Sequence, residues 1–265
     1  MLTGRERQRY HRQILIPGWG EGAQANLKAA RVFIAGAGGL GSPAAFYLAA
    51  AGVGTIRICD AGTVEPSNLN RQILHGDEDV GVNKALSAAR SLCRINPLVR
   101  VVPLQEEITE QTVERLAGDA QILVDCLDNI PARMVLNSLA VRRNMPLVHA
   151  GVSGLCGQIT VVRPPRTPCL GCFLPRGGEE GVFPILGATA AVLGSLEALE
   201  TLRYLTGRGD PLEGRLLYVD LEELEFHWID LQRDPGCPAC GDLNGGGAAP
   251  GAMRRPGQRN GEERT

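Results

Sequence analysis

Short apolar runs alternate with amphipathic stretches along most of this chain, and the alternation predicts an α/β fold. Arg31-Val-Phe-Ile-Ala35 is short and rich in branched or aromatic side chains, the signature of a buried strand. A glycine-rich turn follows, and Ser42-Pro43 opens an Ala-rich helix to about Ala51, with proline near the first turn where its missing N–H costs nothing. Thr55 to Cys59 reads as a second strand, completing a right-handed βαβ unit. The pattern continues as helix 82–94, strand 99–103, helix 109–117, strand 121–125 and helix 131–143. Strands at 146–151 and 157–163 are joined by a Gly-rich link that predicts a hairpin, hence a switch to antiparallel pairing. Helical character over Gly4–Leu15 precedes this region; a helix over Ala188–Thr206 and strands at 215–219 and 224–231 follow it. The expected fold class is α/β: a Rossmann-like mixed, mostly parallel sheet with helices on both faces.

The breaks in the pattern carry as much information. Residues 61–80 form a connection far longer than α/β units normally use, and such loops are most often functional. From Pro164 to Gly187 the chain is rich in Pro and Gly and reads as a surface crossover. Beyond Asn244 apolar periodicity ends, and residues 244–265 read as a disordered tail. No internal repeat is present.

Composition narrows the function classes. With 265 residues and 44% hydrophobic content, the chain can bury one sizeable core. A net charge of -2 argues against nucleic acid as a partner. Apolar stretches are too short and too interrupted to cross a bilayer, and the first residues are polar, so a cytoplasmic protein is expected. Among 27 basic residues only Lys28 and Lys84 are lysines, which makes those two positions conspicuous.

Gly36-Ala-Gly38-Gly39-Leu-Gly41 satisfies G-x-G-x-x-G between a strand and a helix, where free backbone N–H groups and a helix N-terminus attract phosphate. The plainer reading is a turn that packs strand against helix. Asp60, 19 residues past Gly41, suits the carboxylate that holds ribose hydroxyls, or else caps a turn. Arg71, Lys84 and Arg12 supply cations that suit phosphoryl chemistry better than hydride transfer. Asp128, at a strand end beside Asn129, fits a Mg2+ ligand, with a structural Asp-Asn turn as its alternative. Cys169-x-x-Cys172 and Cys237-x-x-Cys240 present two thiolate knuckles, the usual arrangement of a closed structural Zn2+ site. Cys59, Cys93, Cys126 and Cys156 stand singly in apolar or Gly-rich surroundings and read as small packing residues.

Taken together, Gly36–Gly41, Asp60, Ser67 to Gln72, Lys84, Asp128-Asn129-x-x-x-Arg133 and the two cysteine pairs resemble the MoeB/ThiF/HesA group, bacterial relatives of ubiquitin-activating enzymes, over about residues 5–241. The resemblance implies a homodimer that uses Mg-ATP to adenylate the Gly-Gly carboxylate of a MoaD- or ThiS-like sulfur carrier. It assigns the turn glycines to the phosphates and Asp60 to the ribose. Ser67, Asn68, Arg71, Lys84 and Asn129 fall to the nucleotide, Asp128 to Mg2+, and Arg12 to the neighbouring subunit's site. It also implies one domain over 1–243, divided into a helical segment 1–29, a nucleotide half 30–145 and a carrier and zinc half 146–243.

One departure from the group stands out. Several members carry a cysteine in the crossover after the first zinc pair, whereas here Arg176 to Pro184 contains none, nor does any residue between Cys172 and Cys237. Adenylation without a covalent carrier link is expected, with sulfur supplied by a separate donor. Competing readings are an NAD-dependent oxidoreductase, a tRNA-modifying dehydratase of the same superfamily and a non-catalytic carrier-binding scaffold.

Overall fold

The computed structural model describes residues 1–175, 184–209 and 212–241. The expected tail, 244–265, and the cysteine-free stretch 176–183 lie outside the described residues. Three helices come first: α1 (Gly4–Arg9), α2 (His11–Ile14) and α3 (Gly20–Ala29). The nucleotide-type half follows as β1 (Arg31–Ala35), α4 (Gly41–Ala51), β2 (Thr55–Cys59), α5 (Lys84–Ile95), β3 (Arg100–Leu104), α6 (Val113–Ala117), β4 (Ile122–Asp125) and α7 (Ile130–Arg143). The chain then runs through β5 (Leu147–Ser153), β6 (Cys156–Val162), α8 (Leu170–Phe173), α9 (Gly187–Thr206), β7 (Arg215–Asp220) and β8 (Glu225–Asp230).

All eight strands form one sheet in the order β3-β2-β1-β4-β5-β6-β7-β8. Strands β3 to β5 pair in parallel, and β6, β7 and β8 add antiparallel. The mixed sheet and the β5–β6 hairpin agree with the sequence expectation. Side-chain alternation builds two cores: Val32, Ile34, Ile56, Ile58, Val124 and Val148 face α4, α5 and α9. Phe33, Ala35, Leu123 and Leu147 face the opposite way, against α6, α7 and the cysteine knuckles. Each fully buried aliphatic or phenyl side chain contributes roughly 1.5–3 kcal/mol, so these central strands hold the scaffold.

Several boundaries differ from the sequence pattern for local reasons. The single helix expected over Gly4–Leu15 is broken at Tyr10, whose φ of -98° and ψ of 13° leave the helical region. Tyr10 turns inward, and its hydroxyl accepts a hydrogen bond from Asn96 Nδ2 at 2.8 Å. Helix 109–117 begins only at Val113, because the Thr109 and Thr112 hydroxyls bond nearby backbone groups in the preceding turn. Asn83 caps α5 by accepting from the Ala85 and Leu86 N–H groups, so that helix starts at Lys84. The crossover contains α8, which starts just after Cys169 and includes Cys172.

Asn96 is fully buried and donates to both Tyr10 Oη and the Ala49 carbonyl, tying the N-terminal helices to the sheet's helical layer. Tyr10→Phe is expected to lower unfolding free energy by about 1 kcal/mol through the lost hydrogen bond, as measured by urea denaturation. No change in stability would show that this tie contributes nothing.

Candidate active site

Strand order reverses between β1 and β4: the chain leaves β1 toward β2 and β3, then returns to place β4 on the other side. Loops leaving the carboxyl ends of two such strands diverge, and the crevice between them is where open α/β sheets bind ligands. A cleft of about 980 Å3 opens there, lined among others by Gly36, Gly38, Gly39, Asp60, Arg71, Lys84, Asp128 and Asn129.

Gly36 sits at the floor with φ of 97°, and a Cβ on it would lie 2.6 Å from the Cys126 carbonyl oxygen. Only glycine permits that approach. Gly41 serves packing instead, since its Cβ would lie 2.1 Å from the Gly36 carbonyl oxygen, and it is not among the cleft-lining residues. Asp60 anchors the turn: Oδ2 accepts from the Ala37 N–H at 2.8 Å and Oδ1 from the Gly62 N–H at 2.9 Å. The turn reading is met by these bonds, and the same residue lines the cleft.

Two cations face this space without carboxylate partners among the described residues. Arg71 Nη1 donates to the Ser67 carbonyl at 2.8 Å and to Asn70 Oδ1 at 3.0 Å, which aims its guanidinium without neutralising it. Lys84 opens α5 and is steadied by Asn83, whose Nδ2 donates to the Asp60 and Gly62 carbonyls at 2.9 and 3.1 Å. Unpaired cations converging on a glycine turn and a helix N-terminus can hold a polyanion.

Asp128 is exposed, and its one hydrogen bond among the described residues comes from Asn129 Nδ2 at 3.4 Å. Asn129 has a structural task, capping α7 by accepting from the Ala132 N–H at 2.9 Å. The structural role in the Asp-Asn pair falls to Asn129, while the Asp128 carboxylate is exposed at the cleft. Ser67, Asn68 and Arg12 are not brought into the cleft of their own chain. Asn68 is buried and shapes its turn, accepting from the Glu65 N–H at 3.2 Å, while Ser67 bonds Glu65. Arg12 is exposed on α2.

Beneath the cleft lies a buried polar set of which the sequence motif included only Arg133; sequence reading missed Asp125 and His149, whose one signal is polarity inside apolar strands. His149 Nδ1 lies 2.7 Å from Asp125 Oδ2, and the Arg133 guanidinium is 3.8 Å from the same oxygen. Burial opposes charge on Asp125, but Arg133 and the His149 hydrogen bond outweigh it and hold the carboxyl below its ordinary range. Burial keeps His149 below its ordinary value as well. Arg133 donates to the Leu127 and Ala150 carbonyls, fixing the start of the loop that carries Asp128. The Glu106–Gln111 segment also lines the cleft, with no motif to mark it in advance.

Burial pushes the Cys59 thiol up to about 12 and the Cys126 thiol well above its ordinary value, so neither is an activated nucleophile. The paired cysteines are different. All four sulfurs lie within 4.8 Å of one another, with Cys169–Cys237 at 3.6 Å and Cys172–Cys240 at 3.4 Å. A disulfide needs about 2.05 Å, whereas a tetrahedron with bonds of about 2.3 Å has sulfur–sulfur edges near ~3.8 Å. The geometry fits a metal ion, and Asn137 Nδ2 lies 3.5 Å from Cys169 Sγ to orient it.

The model of the ThiF family matches residues 10–239. The chain belongs to the ThiF family. Similar relatives include the heterocyst protein HesA of Trichormus variabilis, 39% identical over 243 residues and covering 91% of each chain. The sulfur carrier protein adenylyltransferase of Thermus thermophilus is 40% identical over 251 residues, 91% of this chain and 93% of that one. Among solved structures, E. coli MccB with ATP aligns with a TM-score of 0.80 at 25% identity, over 90% of this chain and 77% of MccB. This ThiF-family chain is a nucleotidyltransferase, which sets aside the oxidoreductase reading. Among its described residues no helix is long and apolar enough to cross a membrane.

Glu197 on α9 is wholly buried; Cys126 Sγ lies 3.4 Å from its Oε2, and its Oε1 has no hydrogen-bond partner among the described residues. Burial, reinforced by nearby Asp125, raises its carboxyl well above the ordinary 4.5. A raised folded-state value means that the folded protein retains this proton where the unfolded chain has lost it. The contribution is full below pH about 4.5 and is lost as pH rises. Wild-type stability should therefore fall relative to Glu197→Gln above that pH, by at most about 1.4 kcal/mol per pH unit. Parallel stability profiles from pH 4 to 8 for the two proteins would show that Glu197 is not held protonated.

Proposed function

We propose that this chain uses Mg-ATP to adenylate the C-terminal glycine carboxylate of a small ubiquitin-like sulfur carrier, releasing pyrophosphate, in cofactor biosynthesis. The observation that carries this reading is the grouping of two cations without carboxylate partners among the described residues, Arg71 and Lys84, with an exposed carboxylate, Asp128, around one glycine turn. A hydride-transfer enzyme has no use for that set, whereas displacement at phosphorus needs charge stabilised on oxygen. The name of the Thermus relative and the ATP-bound MccB structure support the same chemistry.

In this reading the carrier carboxylate attacks the α-phosphorus, an oxygen–phosphorus bond forms, and the bond to the bridging oxygen breaks to release pyrophosphate. The backbone N–H groups of the turn and the N-terminal end of α4 receive phosphate oxygens, and Asp60 accepts from the ribose. Arg71 and Lys84 take up charge developing on pyrophosphate. Asp128 would hold Mg2+, which supplies further neutralisation of the phosphates. Arg12, exposed and outside its own cleft, would serve the neighbouring subunit of a homodimer. Ser67 and Asn68 support the reading by shaping the loop that presents Arg71.

The carrier would dock on the 146–243 half. Its edge strand β8 exposes the apolar side chains of Phe226, Trp228 and Ile229, a surface suited to a protein partner. The four cysteines would hold Zn2+ as a closed structural site, with no open position for substrate. Sulfur would come from a separate donor after adenylation, since the chain has no cysteine between Cys172 and Cys237 to form a covalent carrier link in the crossover.

Asp128→Ala is expected to raise the barrier by several kcal/mol, on the order seen for metal-ion catalysis, while leaving the fold intact. Arg71→Ala and Lys84→Ala should each slow turnover by about 10^2 to 10^3-fold, without adding, because they serve one charge. The readout is carrier-dependent exchange of labelled pyrophosphate into ATP beside circular dichroism; near-normal exchange by folded Asp128→Ala removes metal ligation from the mechanism. For the cysteines, elemental analysis of protein purified under reducing conditions should find one zinc per chain, and Cys172→Ala should lose metal and stability. Zinc-free, fully stable wild-type protein would overturn that site.

A further inference from the structure

We propose that His75 is a positioning residue for nucleotide binding, a strut that sets the glycine turn in register with the helix carrying Lys84. This rests on the reading that a nucleotide occupies the cleft, and it concerns a side chain that does not itself line it.

His75 is buried, with Nε2 2.9 Å from the Ala37 carbonyl oxygen and Nδ1 2.7 Å from Ser87 Oγ. A carbonyl oxygen can only accept, so Nε2 must carry the proton. The neutral ring has one N–H, which leaves Nδ1 bare to accept from the Ser87 hydroxyl. Burial pushes His75 below its ordinary value, in keeping with a neutral ring. Ser87 is itself fully buried and lies on α5 one turn after Lys84.

Ala37 is the second residue of the glycine turn and is held on both sides of its peptide unit. Its N–H donates to Asp60 at 2.8 Å and its carbonyl accepts from His75. Those two bonds limit rotation of the peptide planes whose successors, at Gly38 and Gly39, line the cleft. A second tie runs beside the first, from Ser91 Oγ on α5 to the Leu74 carbonyl at 2.7 Å, so the His75 segment is anchored to the helix independently of its ring. The ring then carries the register between the Lys84 helix and the turn, because it touches both through its two nitrogens. Preorganising donors before a ligand arrives improves affinity by removing an ordering cost.

The test compares wild type with His75→Phe, His75→Gln and Ser87→Ala. His75→Phe keeps a ring of similar volume but no donor; His75→Gln retains an N–H near the Nε2 position. Calorimetric Kd for Mg-ATP should rise about 10-fold in His75→Phe, equivalent to about 1.4 kcal/mol, and recover most of that loss in His75→Gln. Amide hydrogen exchange of the Ala37–Leu40 segment in the nucleotide-free protein should speed up in His75→Phe and Ser87→Ala alike. Nitrogen-15 spectra of wild type should show the Nε2-protonated tautomer. A folded His75→Phe protein with wild-type Kd and unchanged exchange overturns the proposal. Should that variant fail to fold, Ser87→Ala with unchanged exchange, or an Nδ1-protonated ring in wild type, overturns it equally. Wild type that binds no ATP sinks the nucleotide reading instead, while exchange and tautomer still judge the strut.

Discussion

Backbone contact between Gly36 and the Cys126 carbonyl is the constraint on which the site depends. It brings the ends of β1 and β4 close enough to share one floor, and the reversal of strand order above that floor creates the cleft. A side chain at Gly36 would force the two loops apart. Gly41 extends the same economy of space by letting α4 start against the Gly36 carbonyl. Everything that faces the ligand space is hung from this crossing: Asp60 bonds the turn, Asn83 bonds the strand end beside Asp60, and Lys84 follows Asn83.

Charge is sorted by depth. At the rim, Arg71 and Lys84 remain unneutralised and Asp128 stands exposed, so the cleft offers cations and a carboxylate at once. Below the floor, Asp125 is compensated by Arg133 and His149, while burial raises the Glu197 carboxyl above its ordinary range. The difference follows from solvation: an unpaired charge is tolerable where water or ligand can reach it and costly where neither can. Arg133 links the two levels, since the guanidinium that balances Asp125 also holds the Leu127 carbonyl one residue before Asp128.

The cysteine cluster works at a different scale. Its four sulfurs come from the crossover after β6 and from the turn after β8, segments that little regular secondary structure would otherwise hold together. They pack against the face of the sheet that carries Phe33 and Leu147, with Asn137 of α7 reaching one sulfur. A metal ion held by these four thiolates would substitute for a core that Pro- and Gly-rich chain cannot build, and the opposite face is covered by α9.

Local chemistry made much of this legible in advance. Strand and helix periods gave the element order, the glycine spacing located the turn, and the two Cys-x-x-Cys pairs declared a tetrahedral donor set, because each depends on residues adjacent in the chain. The helix break at Tyr10 was not legible, since the buried partner that draws the ring inward, Asn96, is 86 residues away. Nor was the distinction among the motif residues. Ser67 and Asn68 share a loop with Arg71, yet Asn68 accepts from the Glu65 N–H and Ser67 donates to the Glu65 carboxylate, while Arg71 and Gln72 line the cleft. Asn129 and Asp128 differ in the same way, one capping a helix and the other exposed at the cleft. The sequence by itself determined which groups exist and in what order; the fold decided which remain available. Hydrogen-bond capacity consumed by distant neighbours cannot be read from spacing, and it is what separates His75, buried between Ala37 and Ser87, from a histidine on the surface.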